Sequence, residues 1–312
     1  MQFVAGKTAF ITGGASGIGL GMAQAFAAAG MRIVVADIDE AALSRAETTL
    51  KQSGADIKTV SLDVSSGEAW KAVAADVEAT FGPVDVLCNN AGVAQARITF
   101  DKHLELVDVP DDLWHLLMET NVTSVFNGIK TFAPKMIERG NGGHIVNTAS
   151  MAGFLAPPGL AVYVASKFAV MGLSESAAGE LAPHGIGMSI LCPGGVQSNL
   201  VATTASRRAS LPGASQGPAA SLITAPLPHA PKMSPLKVGE RVLKAIVNNE
   251  LYVITHPEYE PLMEERFAAV RAAIGESAEP GYLDTPTMLE RSRSQIYLDQ
   301  ASRKQGAGSS IQ

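Results

Sequence analysis

Short apolar runs rich in β-branched residues recur along the chain at 8–12, 32–37, 57–63, 84–89, 144–150, 187–192 and 251–255. Between them lie Ala-rich segments whose apolar positions repeat with helical period, at 18–29, 40–52, 68–81, 112–139, 162–181 and 238–249. A strand that is apolar at every position, not at alternate ones, is buried on both faces. Alternation of such strands with helices therefore predicts an α/β fold: a doubly wound parallel sheet of about seven strands with helices on both faces.

One stretch breaks the pattern. From Asn199 to Lys237 the chain is rich in Ala, Ser and Thr, and Pro212, Pro218, Pro226, Pro228, Pro231 and Pro235 interrupt any long helix. Loops longer than about 15 residues in a compact domain are usually functional lids or linkers. Only a helix, a strand and a second helix at 258–274 follow, too little for another domain. The reading is one domain over 1–275 with a mobile substrate lid at 199–237. A polar C-terminal tail, 276–312, is expected to lie over the body or over a neighbouring subunit.

Composition removes several classes. A net charge of −6, with 24 basic against 30 acidic residues, gives no footprint for a phosphate backbone, so nucleic acid is excluded as a partner. Cys88 and Cys192 lie in no disulfide or zinc spacing, and the six histidines show no H-x-x-x-H, so no metal is expected. A reducing cytoplasm is the expected compartment. No apolar run approaches the ~20 residues that span a bilayer, so no membrane partner is expected. Residues 1–7 lack a basic leader pattern, and the mature chain is expected to begin near Met1.

The first strand runs into Thr12-Gly13-Gly14-Ala15-Ser16-Gly17-Ile18-Gly19, and a helix pattern starts at once. Strand, glycine turn and helix form the dinucleotide geometry: the backbone can approach a pyrophosphate, and the helix amides and macrodipole face its charge. Gly13, Ser16, Gly17, Ile18 and Gly19 are the candidate contacts. The spacing is G-x-x-x-G-x-G; the commoner G-x-G-x-x-G frame, tried from Gly17, fails at Met22. A glycine-rich turn without a ligand is the bland alternative.

Asp37 closes the second strand, 37 − 19 = 18 residues after the last motif glycine, where a carboxylate can accept hydrogen bonds from an adenosine ribose. That placement favours NAD over NADP, because a 2′-phosphate would meet like charge and neither Ala36 nor Ala15 supplies a cation. An ordinary helix N-cap is the alternative, a role Asp39 fits better. Asp63 and Val64, at the end of the third strand, are candidates for the adenine side, although a strand-end turn explains them almost as well.

Tyr163 and Lys167 stand four apart in a helical segment and share one face. A free Tyr titrates near pH 10, so a base working near neutrality needs a lowering of about 3 units, about 4 kcal/mol. An ammonium about 5 Å away at an effective dielectric of about 20 supplies roughly 3 kcal/mol, and an oxidised nicotinamide could supply the rest. Alone, such a pair also reads as a solvated helix face.

In chain order, Thr12-Gly13-x-x-x-Gly17-x-Gly19, Asn89-Asn90-Ala91-Gly92, Asn121, Ser150, Tyr163-x-x-x-Lys167 and Pro193-Gly194 together resemble the short-chain dehydrogenase/reductase family. The resemblance is close over 6–200 and looser to 255, and it implies a Rossmann-like fold. It implies Tyr163 as the acid/base during hydride transfer to or from a nicotinamide. Lys167 would lower the Tyr pKa and hold the nicotinamide ribose. Ser150, 163 − 150 = 13 residues before the Tyr, would hydrogen-bond the developing oxyanion. Asn121 would hold a relay water through its backbone. Asn89, Asn90, Ala91 and Gly92 would line the adenosine side of the groove. Pro193 and Gly194 would carry the chain past the nicotinamide, with Ser198, where the family usually has Thr, and the Val196 backbone near the carboxamide.

The implied strand order places the two cysteines about two strand spacings apart, roughly 9.6 Å, beyond disulfide reach. Met151, Phe154, Leu155, Pro157, Pro158, Leu200 and Leu222 offer apolar surface to a bulky hydrophobic, aromatic or alicyclic alcohol. The 251–256 stretch and the Glu/Arg helix after it look like the ending of several bacterial members, aryl-ether benzylic alcohol dehydrogenases among them. Small residues Ala165, Ala169, Gly172, Ala177 and Gly179 fit a homo-oligomer, a dimer or tetramer, through helices the family commonly uses for that purpose. The expected function is an NAD-dependent alcohol dehydrogenase/ketone reductase acting on a small-molecule secondary alcohol or ketone. A non-catalytic dinucleotide sensor or scaffold, or a nucleotide-sugar epimerase/dehydratase, are the alternatives.

Overall fold

The computed structural model describes residues 3–95, 104–211, 232–275, 290 and 292–307. The chain divides into two compact units, Met1–Thr255 and His256–Gln312. In the first, strands β1 (Thr8–Thr12), β2 (Arg32–Asp37), β3 (Ile57–Ser61), β4 (Val86–Asn89), β5 (Gly143–Thr148), β6 (Ile186–Cys192) and β7 (Tyr252–Ile254) form one parallel sheet in the order β3-β2-β1-β4-β5-β6-β7. The order reverses between β1 and β4, which opens a crevice at the carboxyl ends of those strands. The helices of this unit are α1 (Gly17–Ala28), α2 (Glu40–Gln52), α3 (Gly67–Phe81), α4 (Asp111–Met118), α5 (Ser124–Arg139), α6 (Ala161–Leu181), α7 (Leu200–Ala209) and α8 (Pro235–Asn248).

Alternate residues of β1 show why both faces are covered. Phe10 points to one side, where its ring lies 5.9 Å from Trp70 of α3 and 5.0 Å from Phe132 of α5. Ala9 and Ile11 point to the other, into a cluster with Met22 and Phe26 of α1 and Val238, Val242 and Ile246 of α8. Full burial of each large side chain stabilises by about 1.5–3 kcal/mol, and β1 is buried along its whole length. The continuous apolar strands of the sequence thus have their reason in two covered faces.

The boundaries differ from the periodicity where tertiary contacts decide. Helix α8 starts at Pro235, not at 238, so the expected lid boundary falls inside its first turn. There α1 and α8 meet backbone to backbone: a Cβ on Gly21 would lie 2.1 Å from the Pro235 carbonyl oxygen, and one on Gly239 2.2 Å from that of Gly21. The segment expected as one helix over 112–139 is α4, a π-helical turn at Glu119–Thr123, and α5. Strand β3 stops at Ser61, two residues short, and leaves Asp63 on a loop. The lid expected as irregular contains α7 in its first third; its stretch at 212–231, and Leu222 with it, lies outside the described residues.

The second unit carries a 3₁₀ turn at Pro257–Tyr259, α9 (Glu260–Ala272) and α10 (Gln295–Ala307). Helix α9 buries none of its residues. The division therefore falls before α9, not after it. The expected tail at 276–289 lies outside the described residues.

His144 makes stability depend on acid. The ring is fully buried; Nε2 lies 2.9 Å from Ser189 Oγ, which itself donates to the Glu250 carbonyl at 2.6 Å. Ser189 must then accept from Nε2–H, which leaves Nδ1 as the bare acceptor, and Nδ1 has no hydrogen-bond partner. Burial first, and the positive N-terminus second, pull the imidazole down to about 3 from its ordinary 6.5. Below pH 6.5 the unfolded chain takes up a proton that the native chain refuses, so stability falls by up to about 1.4 kcal/mol per pH unit until the native pKa is reached. Urea midpoints at pH 7 and 4.5 should show this loss in the wild type and a smaller one in His144→Gln; equal slopes would refute the assignment.

Candidate active site

A cavity of about 650 Å³ runs along the crevice, from Gly13, Ser16, Gly17 and Ile18, past Asp37, Asp63 and Val64, to Tyr163 and Lys167. The glycine turn is shaped by two demands. Gly13 has φ +59 and a Cβ there would sit 2.9 Å from Ala91 Cα; a Cβ on Gly19 would sit 2.1 Å from the Gly13 carbonyl oxygen. No other residue fits either position without moving backbone. Ser16 precedes α1 with no side-chain cap bond, and the first turn carries no acidic residue, so its positive end is left for a ligand's charge.

Thr12 ties the turn to the next strand. Its Oγ1 accepts from the amides of Asn90 and Ala91 at 2.9 and 3.0 Å and donates to the Cys88 carbonyl at 3.3 Å. Asn90 Nδ2 donates back to the Thr12 carbonyl at 3.0 Å, and Thr148 Oγ1 donates to Asn90 Oδ1 at 3.4 Å. Lys167 Nζ in turn donates to the Thr148 carbonyl at 3.0 Å. One hydrogen-bonded chain therefore links the glycine turn to the candidate ammonium.

Asp37 ends β2 with both oxygens engaged: Oδ2 accepts from Ala15 N at 3.2 Å, and Oδ1 from Ile38 N and Asp39 N at 2.8 and 3.2 Å. The capping role belongs to Asp39, which accepts from Ala42 N at 2.9 Å. Asp63 is held by Ser65 and by Arg207 of α7 at 3.1 Å. Burial opposes its ionisation, but the Ser65 hydrogen bonds and the Arg207 charge outweigh it and hold the carboxyl below its usual range.

Helix α6 presents Tyr163 and Lys167 on one face, with Lys167 Nζ 5.6 Å from the Tyr163 ring centroid. Ser150, two residues past β5, caps a short 3₁₀ turn by accepting from Ala152 N at 3.1 Å and donates to the Pro193 carbonyl at 3.5 Å; its hydroxyl is close enough to the Tyr163 phenol to favour the ionised form. Burial pushes the phenol up, and the Ser150 hydroxyl offsets only part of that. Burial also pulls the Lys167 ammonium down to about 8, against a smaller opposing contribution from Cys192.

Asn121 sits in the π-helical turn and uses its side chain fully. Its Oδ1 accepts from Val93 N at 2.8 Å, and its Nδ2 donates to the Val93 carbonyl and to Ser166 Oγ, both at 3.0 Å. Ser166 donates on to the Tyr163 carbonyl at 2.7 Å. π-turns are rare and recur at functional sites. This one bolts the chain after β4 to the helix that carries Tyr163.

Of the other expected residues, Asn90, Ala91, Gly92, Pro193 and Ser198 form cavity wall. Asn89 does not: it is buried between strands, with Nδ2 donating to Asn147 Oδ1 at 2.8 Å, because its side chain faces α5 across Gly128. Gly194 lies outside the wall, and Val196 is bridged in parallel to Met233 through the Gly195 carbonyl and the Gln197 amide. Residues that sequence reasoning passed over also form the wall: Arg45, Thr148, Thr203 and Arg207. Leu200, Thr203 and Arg207 recur at helical spacing, a signal hidden by the proline-rich stretch that follows. Gln95 is buried with both amide atoms unpartnered, three residues past Gly92. Among the described residues no cluster of His, Cys, Asp or Glu could hold a metal ion, and no helix is long and apolar enough to cross a membrane.

The family model for short chain dehydrogenase matches residues 7–209. A "3beta-hydroxysteroid dehydrogenase 2" of Eggerthella lenta is 40% identical over 197 residues, 63% of this chain and 74% of that protein. A "C alpha-dehydrogenase" of a Sphingobium species is 34% identical over 269 residues, 85% of each. The crystal structure of a short chain dehydrogenase/reductase from Burkholderia phymatum in complex with NAD superposes with a TM-score of 0.78 at 32% identity, covering 89% of this chain and 99% of that one. The chain belongs to the short-chain dehydrogenase/reductase family and is an oxidoreductase with a Rossmann-like fold.

Proposed function

We propose that the protein is an NAD-dependent dehydrogenase that interconverts a bulky secondary alcohol and its ketone. The observation that carries this reading is Tyr163 with Lys167 beside it and Ser150 near its phenol, at one end of a cleft whose other end holds the glycine turn and Asp37. The cleft fits a dinucleotide: the turn has room only for glycine, the positive end of α1 is uncompensated, and a carboxylate closes β2. When bound, the nicotinamide supplies hydride exchange. The protein's part is to bind the substrate oxygen at Tyr163 Oη, to give or take its proton there, and to steady the oxygen with Ser150. Lys167 holds positive charge behind the phenol. The Asn121 backbone as anchor for a relay water belongs to the same proposal.

An alicyclic or aromatic substrate would lie against the apolar part of the cavity wall, where Val93 and Leu200 stand with Tyr163; Leu104, Leu113, Leu116, Leu117 and Val162 pack behind Val93 and Tyr163 as buried support. A relative named for hydroxysteroid dehydrogenation supports the alicyclic class. A screen of steroid, alicyclic and aryl secondary alcohols, read by reduced-nucleotide absorbance, tests it. Absence of reduction with every alcohol and both nucleotides would refute the reading.

For the nucleotide, Asp37 and Asp39 at the adenosine end repel a 2′-phosphate, while exposed Arg45 opposes them. Two carboxylates against one solvated cation favour NAD, by about tenfold or more in kcat/KM. Asp37→Ala should cut that ratio at least about tenfold, since about 1.4 kcal/mol of repulsion is one factor of ten. A wild type that prefers NADP would overturn the assignment. Ala165, Gly172 and Gly179 of α6 are exposed at seven-residue spacing, and Trp114 and Phe126 are 43% and 49% exposed, which supports a dimer or tetramer through these faces. The buried free thiols Cys88 and Cys192 accord with the cytoplasm as the compartment.

A further inference from the structure

We propose that Arg207 is a latch: by pairing with Asp63 it holds α7 over the adenosine half of the cleft, and opening this pair governs nucleotide release. The proposal rests on the dinucleotide reading above. Helix α7 has two differently secured faces. On one, Thr204 Oγ1 accepts from Ala94 N at 2.9 Å, and Arg208 forks onto Asp112 of α4 at 2.9 and 3.3 Å with only 6% of its side chain exposed. A buried, two-pronged ion pair is costly to break, so this face is the fixed side. On the other face, Leu200, Thr203 and Arg207 form cavity wall together with Asp37 and Asp63.

From that face Arg207 Nη2 reaches 3.1 Å to Asp63 Oδ2, across 144 residues of sequence. The second carboxylate oxygen, Oδ1, is engaged by Ser65 N and Ser65 Oγ at 3.0 and 2.7 Å. Asp63 is thus a fixed post on the loop after β3, and Arg207 is the part that can swing. The side chains are 25% and 38% exposed, so the pair is screened by water and salt and opens at small cost. Asp37, Asp63 and Arg207 line the same stretch of cavity, so a nucleotide held there would meet the Arg207–Asp63 pair. The arrangement is a hinge with a strong fixed side and a weak clasp, which allows opening without unfolding α7.

The test is NADH dissociation followed by stopped-flow fluorescence, in wild type and Arg207→Gln, at about 20 mM and about 500 mM salt, where the Debye length changes about fivefold. The expected result is a two- to fivefold faster release from the variant, the scale of a half-exposed ion pair, with an unchanged melting temperature. Salt should accelerate release from the wild type and leave the variant unaffected. On an Asp63→Asn background, Arg207→Gln should add nothing. An unchanged rate in the single variant, or an equal acceleration on the Asp63→Asn background, would overturn the latch. Arg207→Lys gives a second measure if the Gln variant misfolds: it keeps the charge and should keep the salt dependence, and its loss there would also overturn the proposal. Wild-type protein that binds neither NADH nor NADPH would instead remove the dinucleotide reading, and the latch with it.

Discussion

Tyr163→Phe is expected to lower turnover by about 10²- to 10⁴-fold, the range that a positioned proton donor contributes, while nucleotide affinity stays within a few-fold of wild type. The ring is conserved in volume and still packs against Val162 and its neighbours, so the melting temperature should move little. What disappears is one oxygen, the atom that Ser150 neighbours. Steady-state kinetics on any alcohol found by the screen, with NADH titrated by fluorescence, separates the two effects. Retention of full turnover would remove Tyr163 from the chemistry and, with it, the reason for reading Ser150 and Lys167 as its partners. The raised pKa of the buried phenol sharpens the expectation. A lowering of about 3 units is worth about 4 kcal/mol, and it must arise when ligands fill the cleft. The ligand-free protein should therefore show no Tyr163 ionisation near pH 7 by ultraviolet difference absorbance.

Asn121→Ala should destabilise the fold by about 3 kcal/mol or more, lowering the melting temperature by about 5 °C or more for a chain of this size. The change removes three hydrogen bonds and strands the Val93 amide and carbonyl in the interior, where Val93 is 2% exposed, while the Ser166 hydroxyl keeps its bond to the Tyr163 carbonyl. It also leaves a small cavity, whose cost adds to that of the unpaired groups. Asn121→Asp separates the terms, because a carboxylate accepts from Val93 N but donates to neither partner. A thermal melt of Asn121→Ala within about 1 °C of wild type would show that the π-turn is not held by this side chain.

Much of this architecture can be read from residues alone, for an identifiable reason. A strand buried on both faces must be apolar throughout, so β1, β2 and β6 show themselves without any knowledge of their neighbours. Tyr163 and Lys167 share a helix face by spacing, and Asp37 follows from the length of α1 and β2. Features that depend on distant contacts stayed hidden. The early start of α8 is set by Gly21 and Gly239, 239 − 21 = 218 residues apart. The role of Arg207 is set by a carboxylate 144 residues away. The π-turn interrupts an apolar helical pattern that continues on either side of it, so periodicity alone gives one long helix. The burial that raises the Tyr163 pKa does not show in the sequence, because desolvation is a property of the packed site, whereas a charge four residues away can be read from spacing.

The crossing of α1 and α8 also constrains how this protein can be made. A nascent chain released at residue 211 would hold the glycine turn, Asp37, Ser150, Tyr163 and Lys167, yet the α1 backbone around Gly21 would still face solvent, together with Met22 and Phe26 of the cluster that α8 completes. Synthesis must therefore run some forty residues beyond the last element of the candidate site before its first helix is covered. Until then Met22, Phe26 and the backbone at Gly21 lack the partner that covers them in the finished fold.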